Sequence, residues 1–218
     1  YKYNSFPVNA GDQIYRVTQV IDERITRLAK DGLVRGFPRT LVFQSVTDAT
    51  VSPLAVVRVF LGRLAAEGHE FVLFDTNRLA DAGLLMRTDA RLPAERLLSG
   101  DPRRFDVTLI TNESDSTSAL VALHRPSGES VVAAERLALT WPPGIFSLSH
   151  VALPIAPDDP VYGAERPLGT RSVYLGRIEL LGEQGLLAMP ANVMLRLRYN
   201  PFFSYQENRI ESFLALSE

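Results

Sequence analysis

Leu41-Val42-Phe43-Gln44-Ser45-Val46-Thr47-Asp48-Ala49-Thr50-Val51-Ser52-Pro53 is the stretch that sets the fold class of this chain. It opens as a short apolar run with β-branched members, the composition of a strand buried on both faces. It then passes through an acid, Asp48, and reaches Ser52-Pro53 at the head of an amphipathic segment. Ser52 can cap a helix by accepting a backbone N–H, and Pro53 suits the first helical position, where a missing N–H costs nothing. Strand, acidic loop and helix make half of a βαβ unit. In open α/β sheets ligands and chemistry collect just beyond the carboxyl ends of such strands. Asp48 falls there, although an acid at that place, taken alone, is first a loop cap.

Reading outward, the helix from Pro53 carries Val56, Val57, Phe60, Leu61 and Leu64 on one face and is expected to stop at Gly68. Glu70-Phe71-Val72-Leu73-Phe74-Asp75 follows as a second buried strand, parallel to the first through a right-handed crossover. Asp75-Thr76-Asn77-Arg78 again leaves polar groups at a strand's carboxyl end. Upstream, Tyr1 to Ala10 is aromatic and turn-rich, whereas Gly11 to Lys30 sets Ile14, Val17, Ile21, Ile25 and Leu28 on one stripe. That spacing predicts a surface helix with one buried face, ending near Gly32.

Beyond Arg78 the alternation fades. Leu79 to Met86 reads as helix or loop, and Leu92 to Arg104, with Pro93 and Pro102, as a surface excursion. Phe105 to Thr111 is a strand, Asn112 to Ser118 a polar turn, Ala119 to Arg125 a returning strand, and Val131 to Leu139 stays β in character. Together they predict a small antiparallel insertion. His150 then appears among small hydroxyls, between Ser147-Leu148-Ser149 and an apolar segment. Asp158 to Gly163 is a turn, Val173 to Leu181 and Asn192 to Tyr199 are β candidates, and Ser204 to Leu216 is a helix with Ile210, Phe213 and Leu214 inward.

At 218 residues, 46% hydrophobic and 22% charged, the chain can build one good core. A net charge of -2 leaves no electrostatic footprint for nucleic acid. Without cysteine there is no disulfide, thiolate ligand or Cys nucleophile. No apolar run reaches membrane-spanning length and no signal peptide is visible, so a cytoplasmic setting is expected. Three histidines, no H-E-x-x-H, no EF-hand loop, no G-x-G-x-x-G and no phosphate loop leave neither metal nor cofactor expected.

Of the histidines, His69 reads as a helix-end residue and His124 as an exposed strand end. His150 invites pairing with Asp48. A carboxylate beside an imidazole fixes its tautomer and stabilises the imidazolium formed when the ring takes a proton from a nucleophile.

Phe43 to Val51 and Phe146-Ser147-Leu148-Ser149-His150-Val151-Ala152-Leu153-Pro154 resemble the C-terminal half of bacterial α/β-hydrolase-fold serine hydrolases, of the esterase, lysophospholipase and serine-aminopeptidase type. The likeness covers most of residues 1 to 150, the Tyr162-Gly163 turn and the closing helix. It implies Asp48 as the triad acid and His150 as the triad base, in the order Ser, acid, His along the chain. The implied fold is α/β, the C-terminal part of an α/β-hydrolase sheet with a small antiparallel β insertion. Its expected parts are a lid-side loop and helix (1–36), a βαβ unit carrying the acid (37–78), a β-rich insertion shaping substrate access (79–145), and a histidine loop with a C-terminal β/α segment (146–218).

The sequence departs from that pattern. It holds no G-x-S-x-G, since Ser127-Gly128-Glu129-Ser130 is not one, and the interval from acid to histidine is long. Asp75 is a rival acid by position. Beginning at Tyr1, the chain is read as processed or truncated, with nucleophile and oxyanion hole upstream and no activity of its own. A half-sheet exposes strand edges and apolar faces, so self-association or pairing with the missing N-terminal half is expected. The alternative is a non-catalytic α/β interaction module in which Asp48 and His150 are structural.

Overall fold

The computed structural model describes residues 8–30, 32, 34–46, 48, 51–76, 91–142, 155–169, 173–175, 178–180, 195–197 and 199–215. Helix α1 (Val8–Leu28) is followed by strand β1 (Leu41–Ser45) and a helical stretch, α2, that changes pitch as it runs. It is α-helical over Pro53–Ala55, π over Val56–Phe60 and 3-10 over Leu61–Arg63. Then come β2 (Glu70–Asp75), α3 (Arg91–Ser99), β3 (Asp106–Asn112), β4 (Ala119–Arg125) and β5 (Ala133–Thr140). Short strands β6 (Ile178–Leu180) and β7 (Leu195–Leu197) pair antiparallel, and α4 (Phe203–Ala215) closes the described chain.

β1 to β5 form one mixed sheet in sequence order. β1, β2 and β3 run parallel, and β4 and β5 turn back antiparallel. The antiparallel hairpin expected from the sequence is present. It extends the main sheet, because β3 takes up the free edge of β2 with Glu70 opposite Asp106 through Asp75 opposite Thr111. Leu92 to Arg104, expected as a surface excursion, holds all but the first residue of the crossover helix α3, with Ala94 and Leu97 buried. Two right-handed crossovers stepping the same way across a sheet lay their helices on the same face. One core cluster accordingly joins Val57, Leu61 and Leu64 of the α2 region, Ala94 and Leu97 of α3, and Phe71, Leu73, Val107 and Leu109 of the sheet.

The alternate residues of the same strands, Val72, Phe74, Ile110, Leu120 and Ala122, face the other way onto Trp141, Leu197, Tyr199 and Phe202. Phe74 and Phe202 meet with ring centroids 4.5 Å apart. Asn200 seats α4 on this face. Its Oδ1 accepts the Phe202 N–H at 2.9 Å, and its Nδ2 donates to Gln206 Oε1 at 2.7 Å. Arg209 pairs with the buried Glu70, and the Arg39 guanidinium carbon lies 4.5 Å from the centre of the Phe213 ring. Phe213 is buried as expected, whereas Ile210 and Leu214, expected inward, are exposed because the ion pair and Phe213 set the rotation of the helix.

Helix α1 also departs from expectation. Its stripe was expected to be buried, yet only Ile25 is, and Ile14, Val17, Ile21 and Leu28 stand exposed. The helix is held near its C-terminal end, where Arg63 Nη1 donates to Asp22 Oδ1 and to Thr26 Oγ1, both at 2.7 Å. An amphipathic period describes a face suited to burial; it does not supply the surface that covers it.

One buried cation ties the layers together. Arg125, at the end of β4, is 1% exposed and spends its guanidinium on four backbone carbonyls. Nη1 donates to Leu97 O at 3.0 Å and Leu98 O at 2.8 Å, Nη2 to Gly100 O at 2.8 Å and Nε to Glu129 O at 2.7 Å. The last carbonyls of a helix lack partners of their own and carry partial negative charge. Arg125 therefore closes the end of α3 and fastens it to the hairpin.

Candidate functional site

The carboxyl ends of the parallel strands bring a set of polar residues to one edge. β1 ends at Ser45, which is buried, and its pairing runs one residue further, with Val46 N donating to Phe74 O at 2.9 Å. Asp48 N then donates to Ser45 O at 3.2 Å, so the chain turns on the strand end instead of leaving it. The half-buried Asp48 accepts the Val51 N–H on Oδ1 at 3.0 Å, the short-range capping geometry typical of an acid in a turn. Gln44, pointing from β1, donates through Nε2 to Val51 O at 2.5 Å.

Ser52 was expected to cap the following helix with its side chain. It makes no such bond. Its own carbonyl takes the N–H groups of Ala55 at 3.0 Å and Val56 at 3.1 Å, so the first turn closes through backbone with Pro53 at its head. The helix also stops at Leu64 instead of Gly68. Leu64 leaves helical geometry to bridge with Val34.

The neighbouring strand end carries Asp75 (3% exposed) and Thr76, both buried, and β3 contributes Asn112, whose Nδ2 donates to Thr117 O at 3.0 Å to close the turn into β4. The edge thus holds Asp48 on a turn above β1 and Asp75 at the tip of β2, two acids at adjacent strand ends. His150 lies outside the described residues. Among the described residues no group of three or more His, Asp or Glu side chains could hold a metal ion. None of their helices is long and apolar enough to cross a membrane.

The other histidines differ from expectation. His124 is half-buried within β4, not at an exposed end, and its Nδ1 lies 3.0 Å from Thr108 Oγ1 on β3. Its register opposite Thr108 accounts for this. His69 is not at a helix end. It enters β2, is 1% exposed, and has no hydrogen-bond partner on either ring nitrogen among the described residues. Its ring packs 6.4 Å from that of Phe37. Burial lowers its pKa below the ordinary 6.5, with Glu67 working against the shift and Arg39 adding to it.

A pH dependence of stability follows from His69. In the window below 6.5 the unfolded chain binds a proton there that the folded chain refuses. Stability from this group is therefore whole above that pH and is lost as pH falls toward the lowered folded value. Urea unfolding midpoints measured from pH 7.5 downward (about two units) should decline on acidification, and His69→Leu should flatten the part of that decline lying just below neutrality.

The anchoring role of Gln44 escapes a reading by pattern. The only signal was an amide set among Leu41, Val42, Phe43 and Val46, where a buried strand prefers apolar residues. Comparison with known proteins yields no matching family model, no matching curated protein and no matching solved structure.

Proposed function

We propose that this chain is the acid- and histidine-bearing portion of a serine hydrolase that cleaves carboxylic esters or related acyl substrates through an acyl-enzyme. Asp48 is its triad acid, His150 its base, and the nucleophile belongs to a segment outside this sequence. The observation that carries the reading is the placement of Asp48. Its carboxylate is held by the Val51 N–H on a turn just past the carboxyl end of a parallel strand, immediately before a crossover helix. Open α/β sheets gather their chemistry at that edge. It is also where the resemblance of Phe43 to Val51 and Phe146 to Pro154 puts the acid. In this reading Asp48 orients the imidazole and stabilises its protonated form, and His150 takes the proton from the serine hydroxyl and returns it to the leaving alcohol. A cytoplasmic setting and an acyl substrate of small-molecule size belong to the same reading.

A fluorophosphonate that modifies activated serines tests it. The full-length protein should be labelled at one serine, and His150→Ala should abolish labelling. Absence of labelling in the unsubstituted protein sinks the reading.

The exposed stripe of α1 favours a second one, a non-catalytic module that associates with another segment or another copy. β1 is an edge strand among the described residues, with no charge or proline in Leu41–Ser45 to discourage pairing. Ile14, Val17 and Ile21 give α1 an apolar surface of the kind that marks an interface. Under this reading the phosphonate leaves the protein unlabelled, while Ile14→Asp with Ile21→Asp dissociates its assemblies in sedimentation.

A further inference from the structure

The geometry points to Gln44 as the residue that positions the Asp48 carboxylate. Its catalytic consequence rests on the hydrolase reading, whereas its structural consequence does not. Gln44 stands on β1, 5% exposed, on the side where Val42 and Val46 meet the α2 core. Its Nε2 donates to Val51 O at 2.5 Å, and the N–H of the same Val51 donates to Asp48 Oδ1 at 3.0 Å. Val51 is thus held at both of its backbone groups, one by a side chain anchored in the sheet and the other by the acid. Asp48 is held at its own N–H by Ser45 O, at 3.2 Å. The carboxylate is referenced to β1 along two routes, and one of them runs through Gln44.

A second feature of Gln44 supports a task beyond filling space. Its amide oxygen is buried and has no hydrogen-bond partner among the described residues. A buried acceptor without a donor is a cost that an apolar side chain of the same length would avoid. What the apolar side chain lacks is the Nε2 donor to Val51. Retaining the amide makes physical sense if the acid loop must be held in one place, and a residue on a strand is a stiffer reference for a site than one on a loop.

In the full-length protein, Gln44→Met keeps the length and removes the donor. Gln44→Leu likewise removes the donor and leaves no buried polar atom behind. With p-nitrophenyl butyrate as probe, both should lower kcat about 10- to 100-fold, the cost of a displaced catalytic group, with KM little changed. The acid limb of the kcat/KM profile should move to lower pH, since a displaced carboxylate supports the imidazolium less well. Hydrogen exchange at the Val51 amide should quicken in both variants. Unchanged kcat and pH profile, alongside an Asp48→Asn protein that is disabled, would overturn the inference and leave the hydrolase reading standing. If the unsubstituted protein neither hydrolyses the ester nor takes the phosphonate, the hydrolase reading alone fails. Val51 exchange then decides, faster exchange supporting the positioning role and unchanged exchange refuting it. Should Gln44→Met fail to fold, Gln44→Asn, whose shortened amide cannot span to Val51, carries the same readouts.

Discussion

Asp48→Asn in the full-length protein is expected, under the proposed hydrolase reading, to lower kcat for ester hydrolysis on the order of ten-thousand-fold, the size of effect seen when a triad carboxylate becomes an amide. Asparagine suits the test because its Oδ1 can still accept the Val51 N–H that Asp48 accepts at 3.0 Å. The turn stays closed and the loss reports charge and tautomer control, not a collapsed loop. An imidazole facing an amide in place of a carboxylate is free to hold its proton on the wrong nitrogen, and its protonated form loses its counter-charge. Asp75→Asn is the necessary companion. Asp75 ends the adjacent strand and is almost wholly buried, which makes it the rival acid by position. A large loss at Asp75 with a small one at Asp48 would exchange the two assignments. Small losses at both would remove the triad altogether.

The largest effect on stability is expected at Arg125. Arg125→Met keeps an extended apolar stem and deletes the donors to Leu97, Leu98, Gly100 and Glu129 carbonyls. Charged hydrogen bonds are worth roughly 1.5–3 kcal/mol each, and stranded buried acceptors cost further, but the helix end can recruit water once the side chain is gone. A net loss of about 3–5 kcal/mol is expected, large beside the total stability of a domain this size. Arg125→Lys should recover only part of it, because a compact ammonium cannot reach a fork of carbonyls. Urea unfolding measures both. A loss at Arg125→Met no larger than that of an ordinary surface substitution, within about 0.5 kcal/mol, would show that the clamp contributes nothing.

The βαβ core was legible in the sequence because its signals are local. Leu41 to Ser45 and Glu70 to Asp75 read as buried strands from composition alone, and they pair in parallel; β2 is buried throughout, whereas β1, at the sheet edge, is fully buried only at Gln44 and Ser45. The segment from Pro53 supplies an apolar face at helical spacing, and Val57, Leu61 and Leu64 are buried as that spacing requires. The position of Asp48 past a strand end was equally visible, since strand, acid and helix start follow one another within a few residues.

Other features depend on partners distant along the chain. Nothing near Phe105 says that β3 will align with β2 in parallel, because the residues between them show no clear helical period and Pro93 obscures the crossover helix. Arg125 looks like a strand-end surface cation until the carbonyls at the end of α3, some 25 to 28 residues earlier, are brought to it. His69 looks like a helix-end residue until it is buried just ahead of β2 with the Phe37 ring beside it. Gln44 looks incidental until Val51 folds back to meet its amide.

By itself, then, the amino-acid sequence determined which segments are strands and helices around the first crossover, and that an acid stands at the end of the first strand. Those are matters of side-chain period and of a proline at a helix start, read within a turn or two. Tertiary structure alone decided which edge β3 joins, which face of α1 is left open, and which polar groups are held and by what. Each of these is a contest between burial and hydrogen bonding that is resolved only when distant segments arrive at the same place.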